Sequence, residues 1–372
     1  MKPFYLIFIF SVAFFFSSCA PKSVVTPAAG PLEEPKIAMV LPYRLIGRYA
    51  YSTSTSVFTY FLTRNHPFVL KTFQIEDESP EEIERALNEI KEQGFRHVIA
   101  PLTPKGARII AENEEGLQVF FPTIHKNDLD TNAPNIYFGA IDYRAQTEKL
   151  MPYASSPLVI MYDESAQGKK LLAMAKESYL QSSGAFRPTG REQVSLEKKI
   201  PYEPEREPKE RKVIAYGIDK KRSSMRAEFD GNGAIQFGSF FLNTPLVKSA
   251  MILSQLSFYD TNVTNVLSTQ ISYDPLILSM TQEKDREKLY IANSIGVNDD
   301  ALVETNSLLS NDIVYDWINY ASTIGADYFY HSITGEERLY PLPVVDNQVR
   351  YPVSVMQPSA SHFITAEEGE LP

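Results

Sequence analysis

The chain has 372 residues, 44% of them hydrophobic and 12% aromatic, enough to fill the cores of two domains of about 150 residues each. Its formal net charge of −10 argues against nucleic acid, whose phosphates it would repel, and leaves no polybasic patch for a membrane surface. A single cysteine, Cys19, excludes an intramolecular disulfide, so packing has to carry the stability.

The first nineteen residues read as a processing signal: Lys2 near the start, apolar runs Phe4 to Phe10 and Val12 to Phe16, then the small residues Ser17 and Ser18 before Cys19. The apolar stretch falls short of the roughly 20 residues that a bilayer-spanning helix needs. Residues 20–35 are rich in proline and small side chains without apolar periodicity, the composition of a flexible tether.

From Lys36 the pattern changes. Lys36 to Leu41 reads as a buried strand, Ser52 to Arg64 as an amphipathic stretch and Phe68 to Ile75 as a second strand. Ser79-Pro80-Glu81-Glu82 signals a helix start, with Ser79 as cap and Glu82 returning to its amide; Ile83, Leu87 and Ile90 form the apolar stripe and Gly94 the stop. His97 to Leu102 (strand), Pro104 to Glu114 (helix), Gln118 to Thr123 and Asn135 to Ile141 (strands) and Tyr143 to Tyr153 (helix) continue the rhythm. Such alternation predicts parallel sheets with helices on both faces, because parallel strands need crossover connections. Leu158 to Tyr162 and a helix over Ala166 to Gln181 start a second unit.

The pattern degrades over residues 182–232, where a charged, proline-rich run surrounds the strand-like Val213 to Ile218; it reads as a surface insertion or hairpin with a solvated face. Gly238 to Leu242, Pro245 to Leu256 and Thr264 to Ser268 then read as strand, helix and strand, with Asp274-Pro275 opening a further helix. A helix over Ile313 to Ile324 carries the only tryptophan, Trp317, and Glu337 to Val345 with Gln348 to Met356 reads as a hairpin turning at Asp346-Asn347.

Signatures of chemistry are sparse. The five histidines, His66, His97, His125, His331 and His362, show no metal-ligand spacing. Gly231-Asn232-Gly233 starts a dinucleotide fingerprint, but Gln236 stands at its third glycine; a nucleophile elbow and a phosphate loop are absent. No metal, cofactor or catalysis is expected.

Several stretches resemble the type I periplasmic-binding-protein fold, and within it the penicillin-binding-protein activator lipoproteins: KIAMVLP with the later VIAPLTPKGA; FGAIDYRAQTEKL, similar to the segment that closes the first lobe; GSFFLNTPLVKSAMILSQLSFYDTNVTNVLSTQISYDP; and the terminal TGEERLYPLPVVDNQVRYPV, with Thr334-Gly335 and Arg350. The resemblance covers most of residues 36–356. It departs at Ala100, where glycine is usual, and over residues 182–232. The resemblance implies an α/β, two-lobed architecture: residues 36–154 with about 285–335 as lobe 1, 155–284 with about 336–360 as lobe 2, and 361–372 as a tail. The segment around Cys19 resembles a bacterial lipobox, which implies a lipid such as palmitate on Cys19, and Ala20 points to the outer membrane of a Gram-negative envelope, facing the periplasm.

The best binding feature is Thr103 before Pro104, a hydroxyl at a helix entry beside unpaired amides, which suits an anion; a plain helix cap is the alternative. In amino-acid receptors of this fold the corresponding loop holds the ligand carboxylate. By position after strand C-termini, Tyr43, Arg44, His125, Lys126, Asp163, Ser165 and Tyr273 also face the expected cleft. Two functions stay open: a membrane-tethered, non-enzymatic protein that engages a cell-wall synthase or other envelope protein, and a receptor for a small solute, such as an amino acid or peptide, feeding an uptake system.

Overall fold

The computed structural model describes residues 34–182 and 211–366. Cys19, the tether up to Glu33 and most of the charged, proline-rich run lie outside the described residues. The rest forms two 7-stranded, mainly parallel sheets with helices on both faces, one per lobe.

The first sheet is built from β1 (Lys36–Pro42), β2 (Val69–Ile75), β3 (His97–Ile99), β4 (Gln118–Phe121) and β5 (Ile136–Phe138), and the second from β6 (Leu158–Asp163), β7 (Val213–Ile218), β8 (Ser239–Asn243), β9 (Val266–Ser268) and β10 (Leu289–Asn293). The last four strands are shared out. β11 (Val344–Val345) and β12 (Gln348–Val349) close one edge of the first sheet, and β13 (Ser354–Pro358) and β14 (Phe363–Thr365) one edge of the second. The orders are β11-β12-β5-β4-β3-β1-β2 and β14-β13-β10-β9-β8-β6-β7.

The central strands read as unbroken apolar runs because both faces are covered. Along β1, Ile37, Met39 and Leu41 enter one core while Ala38 and Val40 enter the opposite one, and all five are fully buried. Helix α1 (Arg48–Thr63) packs on the first of these faces, and α2 (Pro80–Glu92) and α3 (Pro104–Asn113) on the second, where α2 buries Ile83, Ala86, Leu87 and Ile90. Burying each of the three larger side chains stabilises by about 1.5–3 kcal/mol. The expected capping box at Ser79 does not form: Glu82 accepts instead from the Glu76 amide at 3.2 Å and from Arg85, while the Ser79 amide donates to Asp77 at 2.9 Å.

Helix α4 (Tyr143–Leu150) corrects the first lobe boundary. Leu150 lies in the core of the second sheet, and Arg144 pairs at 3.0 Å with Glu177 of α5 (Ala166–Gln181), so α4 belongs to the second lobe. Val213–Ile218, expected in an insertion, is the edge strand β7, paired in parallel with β6 over its whole length. After β8 comes α6 (Leu246–Phe258).

The segment 285–335 divides between the lobes. Its strand β10 pairs with β9 in the second sheet, whereas α7 (Asp300–Leu308) and α8 (Trp317–Thr334) pack on α1 of the first. Helix α8 starts later than Ile313 because Asp312 and Asp316 capture the amides of residues 314–315 and 318–319 in turn, leaving a turn before the cap. The terminal hairpin is shorter than expected. Asp346 and Asn347, at φ of 52° and 62°, make the tight turn between β11 and β12, and β12 then pairs with β5 of the first sheet rather than joining the second. Only β13 and β14 pair in the second sheet, and β14 lies within the expected tail.

The chain therefore passes between the lobes three times, after β5, after β10 and after β12.

Candidate functional site: an interlobe cavity and a filled anion site

Parallel strands aim their C-terminal ends, and the loops that follow, into the cleft between the lobes. A cavity of about 480 Å³ opens there. The start of α1 lines it from the first lobe with Arg48, Tyr49, Tyr51 and Ser52, joined by residues 310–312 and 315–319. From the second lobe come Tyr143 and residues 270, 271, 273 and 274.

The second-lobe wall is held by a closed amide network. Gln146 on α4 donates to Ser294 Oγ at 2.7 Å and to Gln270 Oε1 at 3.3 Å, and the Gln270 amide returns a bond to Gln146 Oε1 at 3.0 Å. Gln270 also donates to Asn293 at 3.0 Å. Every member is buried, so the network fixes the loop after β9 at the point where the chain leaves β10. Tyr273 lies on this loop, its ring 5.2 Å from Tyr315 and 4.8 Å from Phe363, and burial pushes its hydroxyl up to about 12. Asp316 is raised from its ordinary value by burial, against the hydrogen bonds it accepts as the cap of α8.

The loop after β3 holds the anion site that the sequence suggests, and it is already filled. The Glu78 side chain, only 2% exposed, accepts from the Thr103 amide at 2.7 Å, from the Gly106 amide at 3.1 Å and from the Thr103 hydroxyl. Thr103 thus makes no side-chain cap to its own helix; both its donors serve Glu78. Gly106 is required by this close approach, because a Cβ there would stand 2.6 Å from the Glu78 carboxyl carbon. With Pro104 lacking an N–H, little of the helix entry remains for an outside carboxylate.

The other cleft candidates separate. Tyr43 is 41% exposed and begins a single helical turn, and Arg44 pairs with Glu76 at 3.1 Å in solvent. Asp163 accepts from the Ser165 amide at 2.9 Å; the Ser165 hydroxyl first, and then this amide, hold its carboxyl below the usual range, and Ser165 caps α5 by accepting from Gly168 at 3.2 Å. His125 accepts from the Asn127 amide at 3.2 Å, with Nε2 3.7 Å from Asp142, and burial lowers its pKa. Lys126 donates its amide to Gln348 at 2.9 Å, and the neighbouring Asp128 forms an ion pair with Lys170 of α5, which ties the lobes together. Of the residues named from sequence, the cavity includes Tyr273 alone. Arg48, Tyr49, Tyr143, Asp312, Tyr315 and Asn319 had no individual signal, since each sits on an element whose place in the cleft depends on the tertiary fold.

Among the described residues no cluster of His, Cys, Asp or Glu could hold a metal ion, and no helix is long and apolar enough to cross a membrane.

Two mainly parallel sheets, three interlobe passes and a cavity between the lobes define the two-lobed type I periplasmic-binding-protein-like fold. No protein-family model and no curated protein matches the sequence. Solved structures do match. The branched-chain amino-acid binding protein LivJ of Streptococcus pneumoniae, in complex with isoleucine, superposes with a TM-score of 0.60 at 9% identity over 90% of this chain and 100% of that one. LpoA of Haemophilus influenzae superposes at 0.57 and 10% identity over 96% of this chain and 62% of its own length. A solute-binding protein of R. palustris, in complex with benzoate, superposes at 0.56 and 10% identity over 90% and 96%.

Proposed function

We propose that the chain is a non-enzymatic, lipid-anchored envelope protein whose two-lobed domain engages another envelope or cell-wall synthesis protein. The observation that carries this reading is Glu78. A receptor that takes a carboxylate at the loop after β3 needs the Thr103 and Gly106 donors free, and here the chain's own carboxylate holds them. The stretches that resemble penicillin-binding-protein activator lipoproteins, and a fold shared with LpoA, support the same reading. Cys19 supplies the anchor. The sixteen residues of the tether reach at most about 55 Å when extended, at about 3.4 Å per residue, and so bound where a partner can lie.

Two experiments test it. Cells grown with labelled palmitate are expected to label the wild-type protein and not Cys19→Ala; equal labelling of both removes the anchor. Cross-linking in the intact envelope is expected to capture a peptidoglycan transpeptidase with the full chain. A micromolar thermal-shift response to one amino acid or peptide, without such capture, refutes the partner reading.

A second reading, a receptor for a small solute, is favoured by the interlobe cavity, whose volume of about 480 Å³ suits a single small molecule.

A further inference from the structure

The chemistry of the interlobe cavity is one-sided. The carboxylates of Asp274, Asp312 and Asp316 line it against the single guanidinium of Arg48. Each aspartate uses Oδ1 locally: Asp274 accepts from Leu276 at 2.8 Å, Asp312 from Val314 and Tyr315 at 2.7 and 3.0 Å, and Asp316 from Ile318 and Asn319 at 3.0 and 3.2 Å. Their Oδ2 atoms take no hydrogen bond from the described residues.

Turns rich in aspartate are common and define no site by themselves. The deciding observation is Asn319, which lines the same cavity and is 2% exposed. Its amide orientation is fixed by its donors, because Nδ2 gives to Asn311 Oδ1 at 3.2 Å and to the Asp312 carbonyl at 2.8 Å. That leaves Asn319 Oδ1 as a buried acceptor without a partner. Buried acceptors are nearly always satisfied, so the wall calls for a donor that the described residues do not supply. Tyr273 and Tyr315 line the same cavity, their rings 5.2 Å apart, and aromatic faces attract cations.

We infer that the interlobe cavity binds a small organic cation with N–H donors, a primary ammonium or guanidinium group, which donates to Asn319 Oδ1 and the aspartate oxygens while its body lies on Tyr273 and Tyr315. The inference deepens the solute reading and rests on it. It also reverses the polarity of a carboxylate site, which agrees with Glu78 having closed the one at Thr103.

The test is calorimetric titration and thermal shift of the full chain with agmatine and putrescine, against three comparison probes: tetramethylammonium, which has no N–H, the neutral polyol sorbitol and the anion phenylacetate. Saturable binding of agmatine or putrescine is expected, with tetramethylammonium weaker by about tenfold or more, the loss of a hydrogen bond to a charged group. The double variant Asp274→Asn, Asp312→Asn keeps both capping oxygens and removes the two charges; it is expected to melt close to the wild type and to bind agmatine about tenfold more weakly or worse. Undiminished affinity in that variant overturns the inference, as does equal binding of tetramethylammonium. Binding of sorbitol or phenylacetate without the amines overturns the cation but leaves the solute reading standing, whereas silence from every probe counts against both.

Discussion

Asp327→Ala is expected to cost about 3–5 kcal/mol of stability, the typical penalty for removing one partner of a buried ion pair. Asp327 sits on α8, fully buried, and is the hub of the first lobe. It accepts from the Tyr60 hydroxyl of α1 at 3.0 Å, from Arg338 Nε at 2.9 Å, and from the amides of Leu339 and Tyr340 at 2.7 and 3.3 Å. Burial and the neighbouring Asp327 hold the Tyr60 hydroxyl well above its ordinary value, in keeping with its role as donor to that carboxylate. Alanine would leave the Arg338 guanidinium, whose side chain is 13% exposed, facing an apolar hole, with two backbone amides unpaired. The loss should appear as a lower urea midpoint at unchanged slope. Asp327→Asn keeps one accepting oxygen and is expected to lose less. A midpoint within error of the wild type for Asp327→Ala would show that the hub is dispensable.

Glu78→Ala is expected to lose about 2–4 kcal/mol, because it orphans the Thr103 and Gly106 amides and removes the negative charge at the start of α3. Unlike the Asp327 variant, it leaves a hole shaped for a small carboxylate. Acetate should therefore raise the melting temperature of Glu78→Ala and not that of the wild type, by mass action on the folded state. Gly106→Ala crowds the Glu78 carboxyl from the other side and is expected to destabilise by about 1–3 kcal/mol without any response to acetate. If acetate fails to act on Glu78→Ala, or acts equally on both proteins, the carboxylate is not what closes this helix entry.

The alternation of strand and helix was readable from Lys36 to Gln181 because each element there pairs with near neighbours and carries its own period. The Asp346-Asn347 turn was readable too, since those residue types tolerate positive φ. What could not be read was partner choice. Leu289–Asn293 was not read as a strand at all, and it becomes one by pairing with β9; the expected hairpin over Glu337 to Met356 gave no sign that β5 would take part of its second arm. The same holds for the site. Thr103 looked like an anion receptor from its own neighbourhood, yet the anion that fills it arrives from the loop after β2, 25 residues earlier. Trp317 was read inside a helix expected to start at Ile313, and only the packing of α8 on α1 carries it to the cavity.

The three passes between the lobes also set an order of events during synthesis. α8 leaves the ribosome about 270 residues after the α1 helix it packs on, and β12 about 210 residues after the β5 strand it pairs with, so the first lobe cannot cover its sheet until nearly the whole chain exists. Its early strands must wait with an apolar face open, the condition under which partly made chains aggregate or recruit a holdase. Neither lobe is a continuous stretch of sequence, so a chain cut anywhere before Val349 leaves the first sheet without its closing hairpin and the second without β13 and β14.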